Sequence, residues 1–145
     1  MRLEGRHALI TGGGTGIGAC IARALAAEGA RLTLVGRRPE PLQHLAEEVG
    51  ATAAPADVTD GGQVAAAVSA ARQANGAIDI LINNAGAAES GPFAKLDMES
   101  WRRAIAINLD ALFVTTQAAL SDLLASPAGR VVVVASTAGL KGYGY

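Results

Sequence analysis

The chain has 145 residues, 50% of them hydrophobic and 17% charged, which is enough for one domain with its own apolar core and excludes a disordered polypeptide. A net charge of −1 and an aromatic content of 3% offer neither a basic surface nor stacking platforms for nucleic acid. The longest unbroken apolar run, residues 131–135, is far short of the roughly 18 residues of a membrane span. The opening Met1-Arg2-Leu3-Glu4-Gly5 has no secretory character, so a soluble, cytoplasmic protein is expected.

In chain order, short apolar runs alternate with longer segments of helical period, the pattern of strand and crossover-helix units in a parallel sheet. Residues 7–11 read as the first strand and 16–28 as the first helix. On that helix the single cysteine, Cys20, falls with Ile17, Ile21, Ala24 and Leu25, which predicts a buried, inert thiol. Residues 31–35 form a second strand, and 39–49 a second helix with Pro39 at its start. A third strand is expected at 51–54, followed by a helix over 60–73 whose apolar face is Val64, Ala67, Val68 and Ala71. A fourth strand at 78–82, one long helix over 98–124 with Pro127 beyond its end, and a fifth strand at 130–135 complete the series.

No shift of composition marks a second domain, so residues 1–145 read as a single α/β unit. Right-handed crossovers give a doubly wound parallel sheet of order 3-2-1-4-5, with the switch between strands one and four. A ligand belongs at the carboxyl ends of those two strands, residues 11–18 and 83–86.

Between the first strand and its helix lies Thr11-Gly12-Gly13-Gly14-Thr15-Gly16-Ile17-Gly18. Glycines allow a tight turn and close backbone approach, and unpaired amides at a helix start favour a pyrophosphate. Gly12, Gly16 and Gly18 spell T-G-x-x-x-G-x-G. Downstream come Asp57-Val58 after strand three, Asn83-Asn84-Ala85-Gly86 after strand four, Asn108 within the long helix, and Ala135-Ser136-Thr137-Ala138-Gly139 after strand five. In this order the segments resemble the short-chain dehydrogenase/reductase family over nearly the whole chain.

The resemblance implies a Rossmann-type fold, an NAD(P) cofactor and hydride exchange with a small-molecule alcohol or ketone. It assigns Gly12, Thr15, Gly16, Ile17 and Gly18 to the pyrophosphate and Asp57 and Val58 to the adenine. Asn84, Ala85 and Gly86 fall to the adenosine and ribose side, Ser136 to the catalytic serine and Asn108 to the water of the proton relay.

The second strand ends in Gly36-Arg37-Arg38, where NAD-preferring relatives carry an acidic residue at the Gly36 position. Arg37 suits a 2′-phosphate, because its guanidinium fork matches phosphate oxygens, so NADP is favoured over NAD. Thr15 stands where many NADP-specific members have a second basic residue.

The family's proton donor is the tyrosine of Y-x-x-x-K, about a dozen residues beyond the serine, and the 145 residues contain no such motif. Tyr143 and Tyr145 have no lysine four residues on and are read as loop or pocket-wall aromatics, with Lys141 solvated. The expectation is therefore the front portion of a longer protein that holds the complete site, with self-association of the whole into a homodimer or homotetramer. Trp101, Ile105, Leu109, Leu112 and Val114 on the long helix supply apolar surface for that contact. The alternative is a non-catalytic nucleotide-binding protein. No metal site is expected, and the substrate stays open.

Overall fold

The computed structural model describes residues 1–89 and 91–142. Strand β1 (His7–Thr11) is buried at every position, which a strand covered on both faces requires of its side chains. It pairs in parallel with β2 (Arg31–Gly36) on one side and β4 (Ile80–Asn83) on the other. Beyond these lie β3 (Thr52–Pro55) and β5 (Arg130–Val133), giving the order β3-β2-β1-β4-β5 that the crossover rule predicts.

Because strand side chains alternate, β1 sends Ala8 and Ile10 to one face and Leu9 to the other. On the first face these meet Leu32, Leu34, Ile80 and Ile82 beneath α1 (Gly16–Ala27) and α2 (Pro39–Val49). On the second, Leu9, Val35 and Leu81 meet α3 (Gly61–Asn75) and α5 (Ala111–Ala125). The predicted face of α3, Val64, Ala67, Val68 and Ala71, is the one that is buried. Among the described strands β3 and β5 form the two edges, and Val131, Val132 and Val133 of β5 are each about half exposed.

Three expectations are corrected. Cys20 is exposed, not buried. Helix α1 lays the small residues Gly18, Ala19 and Ala22 on the sheet, and Cys20 stands two positions, about 200° around the helix, from both Gly18 and Ala22.

The long helix is not uniform. α4 (Met98–Ile105) runs into a π turn at Ala106–Asp110 before α5 begins. Asn108 supplies a cause, since its Nδ2 donates to the Ala104 carbonyl at 3.0 Å and takes an acceptor that the helix ladder uses. The continuous stretch Met98–Ala125 is also long and apolar enough to cross a bilayer by length and composition, which a search for unbroken apolar runs overlooks. In this fold its inner residues Ala111, Thr115, Ala119 and Leu123 are buried in the domain.

The strands also differ at their ends. β4 starts at Ile80 because the Ile78 amide is drawn off to the Asp122 carboxylate at 3.1 Å. β5 stops at Val133 because the last acceptor of β4, the Asn83 carbonyl, is used by the Val134 amide at 2.9 Å.

His7 is fully buried at the amino end of the sheet, with Nδ1 2.9 Å from the Gly76 carbonyl and Nε2 2.9 Å from Thr33 Oγ1. Burial pushes its pKa below the ordinary value, helped by the nearby Arg31 charge and opposed by the Gly76 carbonyl. The unfolded chain therefore takes up a proton near pH 6.5 that the native state refuses. Stability should be full above that pH and fall as pH drops below it, by up to about 1.4 kcal/mol per pH unit. Thermal melts from pH 8 to 5 should show this loss, and His7→Gln should flatten it. An unaltered slope in the variant would exclude His7 as its source.

Candidate functional site

The turn after β1 is shaped by what its glycines lack. A Cβ on Gly12 would stand 2.9 Å from Asn84 Nδ2 and 3.0 Å from the Ala85 Cα, and one on Gly18 would collide with the Gly12 carbonyl and come within 2.7 Å of Asn84 Nδ2. Gly12 and Gly16 also have φ of 63° and 54°, a region that favours glycine. Gly18→Ala should therefore lower the thermal midpoint by the equivalent of about 1–3 kcal/mol, the usual penalty of overpacking. An undisturbed melt would show that the turn is not held this tightly.

Thr15 is the N-cap of α1 but makes no side-chain capping bond. The Ala19 amide donates back to the Thr15 carbonyl at 3.2 Å, so the amides before it precede the helix ladder. Gly16 faces open space, with no atom within 4 Å of where a Cβ would lie. The result is an electropositive helix start that a bound anion can approach at backbone distance.

Thr11, to which the sequence motif assigns no role, ties β1 to β4. Its Oγ1 accepts the amides of Asn84 and Ala85, each at 3.0 Å, and donates to the Ile82 carbonyl at 3.3 Å. Asn84 Nδ2 donates in return to the Thr11 and Gly12 carbonyls at 3.0 and 3.2 Å. Asn83 points the other way, accepting from Thr115 Oγ1 at 2.7 Å and donating to Thr116 Oγ1 at 3.2 Å, which fastens β4 to α5. A threonine closing an otherwise apolar buried strand was the signal available for Thr11.

The turn and the β4 end flank a cleft of about 540 Å³. Gly12, Gly14, Thr15 and Ile17 line it on one side, Asn84, Ala85, Gly86 and Ile107 on another, and Gly36, Arg37, Arg38, Ala56 and Val58 further along. Gly16 and Gly18 shape the turn without lining the cleft. Among the described residues neither Arg37 nor Arg38 closes an ion pair.

Asp57 falls in a smaller adjoining cavity that Arg37 also lines. Hydrogen bonds from the Thr59 amide and hydroxyl hold its carboxyl below the usual range, and the Arg37 charge adds to them.

Asn108 is brought to the end of the β4 segment. Its Nδ2 donates to the Ala87 carbonyl at 2.8 Å and its Oδ1 accepts the Ala87 amide at 3.2 Å, while a Cβ on Gly86 would meet that Oδ1 at 2.9 Å. Ser136 follows β5, whose carboxyl end lies beside that of β4 through the Asn83 and Val133 pairing. Its Oγ accepts the Ala138 amide at 3.1 Å, a bond that uses a lone pair and not the hydroxyl proton. Neither Ser136 nor Asn108 lines the 540 Å³ cleft. Tyr143 and Tyr145 lie outside the described residues.

A doubly wound parallel sheet with a glycine turn and an uncapped helix start at its switch point, and two successive arginines after β2 in the same cleft, defines a nucleotide-binding α/β domain. The family model for short chain dehydrogenase matches residues 6–145, and the chain belongs to that family.

It is 39% identical over 142 residues to D-threitol dehydrogenase of Mycolicibacterium smegmatis, covering 94% of this chain and 55% of that protein. It is 40% identical over 141 residues to galactitol 2-dehydrogenase (L-tagatose-forming) of Cereibacter sphaeroides, covering 95% and 55%. Similarity to the granaticin polyketide synthase putative ketoacyl reductase 1 of Streptomyces violaceoruber is 40% over 142 residues, covering 93% and 52%. Among solved structures, a variant actinorhodin polyketide ketoreductase with NADPH matches with a TM-score of 0.90 at 34% identity, over 95% of this chain and 56% of that one. The chain thus spans about half the length of these relatives.

Proposed function

We propose that the protein is an NADP(H)-dependent oxidoreductase that interconverts a secondary alcohol and a ketone. The observation that carries this reading is one cleft lined both by the uncapped start of α1 and by two arginines that close no ion pair among the described residues. Backbone amides suit a pyrophosphate and a guanidinium suits a 2′-phosphate, so the donor set fits this cofactor. The open space at Gly16 leaves room for its backbone approach. The NADPH in the matched ketoreductase and the polyol and ketoacyl substrates in the relatives' names support the same class.

In this reading Gly12, Thr15, Gly16, Ile17 and Gly18 hold or shape the pyrophosphate site and Arg37 pairs with the 2′-phosphate. Asp57 and Val58 hold the adenine, and Asn84, Ala85 and Gly86 the adenosine and ribose side. When bound, the nicotinamide supplies or accepts the hydride. Ser136 donates its hydroxyl proton in a hydrogen bond to the substrate oxygen. Asn108, by clamping Ala87, sets the position of the relay water. Residues 87–89 and 91–94 form part of the substrate wall. The test is turnover by the whole protein with NADPH and a panel of ketones, and with NADP and polyols. Tight NADPH binding without turnover on any of them would replace this reading by a non-catalytic one.

We also propose that the whole protein self-associates through the α4 and α5 stretch. Trp101, Leu109, Phe113, Leu120 and Leu124 are exposed on it, whereas Ile105, Leu112 and Val114 are partly covered within the domain. Sedimentation should give a dimer or tetramer, and a monomer at high concentration would contradict this.

A further inference from the structure

Asp57 and Val58 present a defined edge to a ligand only if the residues joining β3 to α3 keep one conformation. Asp60 caps α3, its Oδ1 accepting the amides of Gly62 at 2.9 Å and Gln63 at 3.0 Å. In an ordinary capping box the residue three places after the cap returns its side chain to the amide of the cap itself. Gln63 does something else. Its Oε1 reaches past Asp60 to accept the Asp57 amide at 2.9 Å, while its Nε2 donates to Asp60 Oδ2 at 3.0 Å.

The Asp60 amide goes instead to the Asp57 carbonyl at 3.1 Å, and Asp57 Oδ1 accepts the Thr59 amide and hydroxyl at 2.9 and 2.7 Å. One side chain therefore bridges both ends of the turn, Asp57 at its start and Asp60 at its close. Gln63 also joins Arg37, Pro55, Ala56 and Asp57 around a cavity of about 310 Å³. Arg37 and Ala56 line the main cleft as well, so the two spaces adjoin.

We propose that Gln63 is a positioning residue for the nucleotide base, bridging the Asp57 amide and the Asp60 carboxylate so that the turn and the cavity beside Arg37 are formed before the ligand arrives. This rests on the NADP(H) reading above. Such preorganisation acts on the adenosine half of a dinucleotide and leaves the nicotinamide half untouched. A glutamate would not replace it, because it cannot donate to Asp60, whose carboxyl the Gln63 contacts hold in its charged range. Methionine keeps the approximate length and removes both bonds.

The experiment measures the affinity of the whole protein, wild type and Gln63→Met, for adenosine 2′,5′-bisphosphate and for reduced nicotinamide mononucleotide. With two ordinary hydrogen bonds removed from the preformed turn, the bisphosphate Kd should rise about 5- to 10-fold. The mononucleotide Kd should stay as it is. Unchanged bisphosphate affinity, or an equal loss for both probes, would overturn the proposal, the latter by revealing a merely structural role. Failure of the wild-type protein to bind the bisphosphate at all would instead remove the cofactor reading on which the proposal stands.

Discussion

Ser136→Ala in the whole protein is expected to lower kcat by about 10²- to 10³-fold while NADPH affinity stays nearly the same. That is the usual effect of deleting one donor to an oxygen that gains negative charge in the transition state. The prediction rests on the hydroxyl's place at the carboxyl end of β5 and on the Ala138 amide, which orients the oxygen without using its proton. Loss of cofactor affinity in parallel with kcat would show that Ser136 shapes the nucleotide site instead.

A polypeptide of residues 1–145 alone should turn over no ketone, because it contains no Tyr-x-x-x-Lys. Removal of a positioned acid costs about 10²- to 10⁴-fold, and poorer positioning of the reacting groups adds to that. Robust turnover by that polypeptide would return Tyr143 or Tyr145 to consideration as the acid.

Arg37→Asp should reverse the cofactor preference. Losing a charge-assisted pair with the 2′-phosphate removes about 1.5–3 kcal/mol, or roughly 10- to 150-fold in NADPH affinity. The new carboxylate repels the phosphate and gains a hydroxyl partner on the ribose of NADH. Arg37 is well placed for so large an effect, since it lines both the cleft and the adjoining cavity and closes no ion pair among the described residues. Arg38 lines the cleft too, so some NADPH binding should survive in the variant, and Arg38→Ala should have the smaller effect of the two.

The parts of the fold governed by repeating pattern were legible in the sequence. Apolar runs of strand length and crossovers of one hand determine the order β3-β2-β1-β4-β5, and the face of α3 follows from the spacing of Val64, Ala67, Val68 and Ala71. Features that depend on one side chain competing with the backbone were not. The π turn arises where Asn108 takes the Ala104 carbonyl, and no periodicity encodes that competition. Cys20 was misplaced for a related reason: α1 is apolar nearly all round, so its sequence does not fix which stripe meets the sheet. Within the site, the glycine turn and the β4 motif were visible as sequence strings. The bridges that join them, Thr11 to Asn84 and Ala85 and Gln63 to Asp57, exist only once the strands are side by side.

The most direct test of the NADP(H) reading is to titrate the whole wild-type protein with NADPH and NADH under the same conditions. The uncapped start of α1 serves the pyrophosphate that both cofactors share, so the preference rests on Arg37 in the same cleft, and the NADPH Kd should be lower by at least about tenfold, the equivalent of one charge-assisted pair. Equal affinities, or tighter binding of NADH, would contradict it.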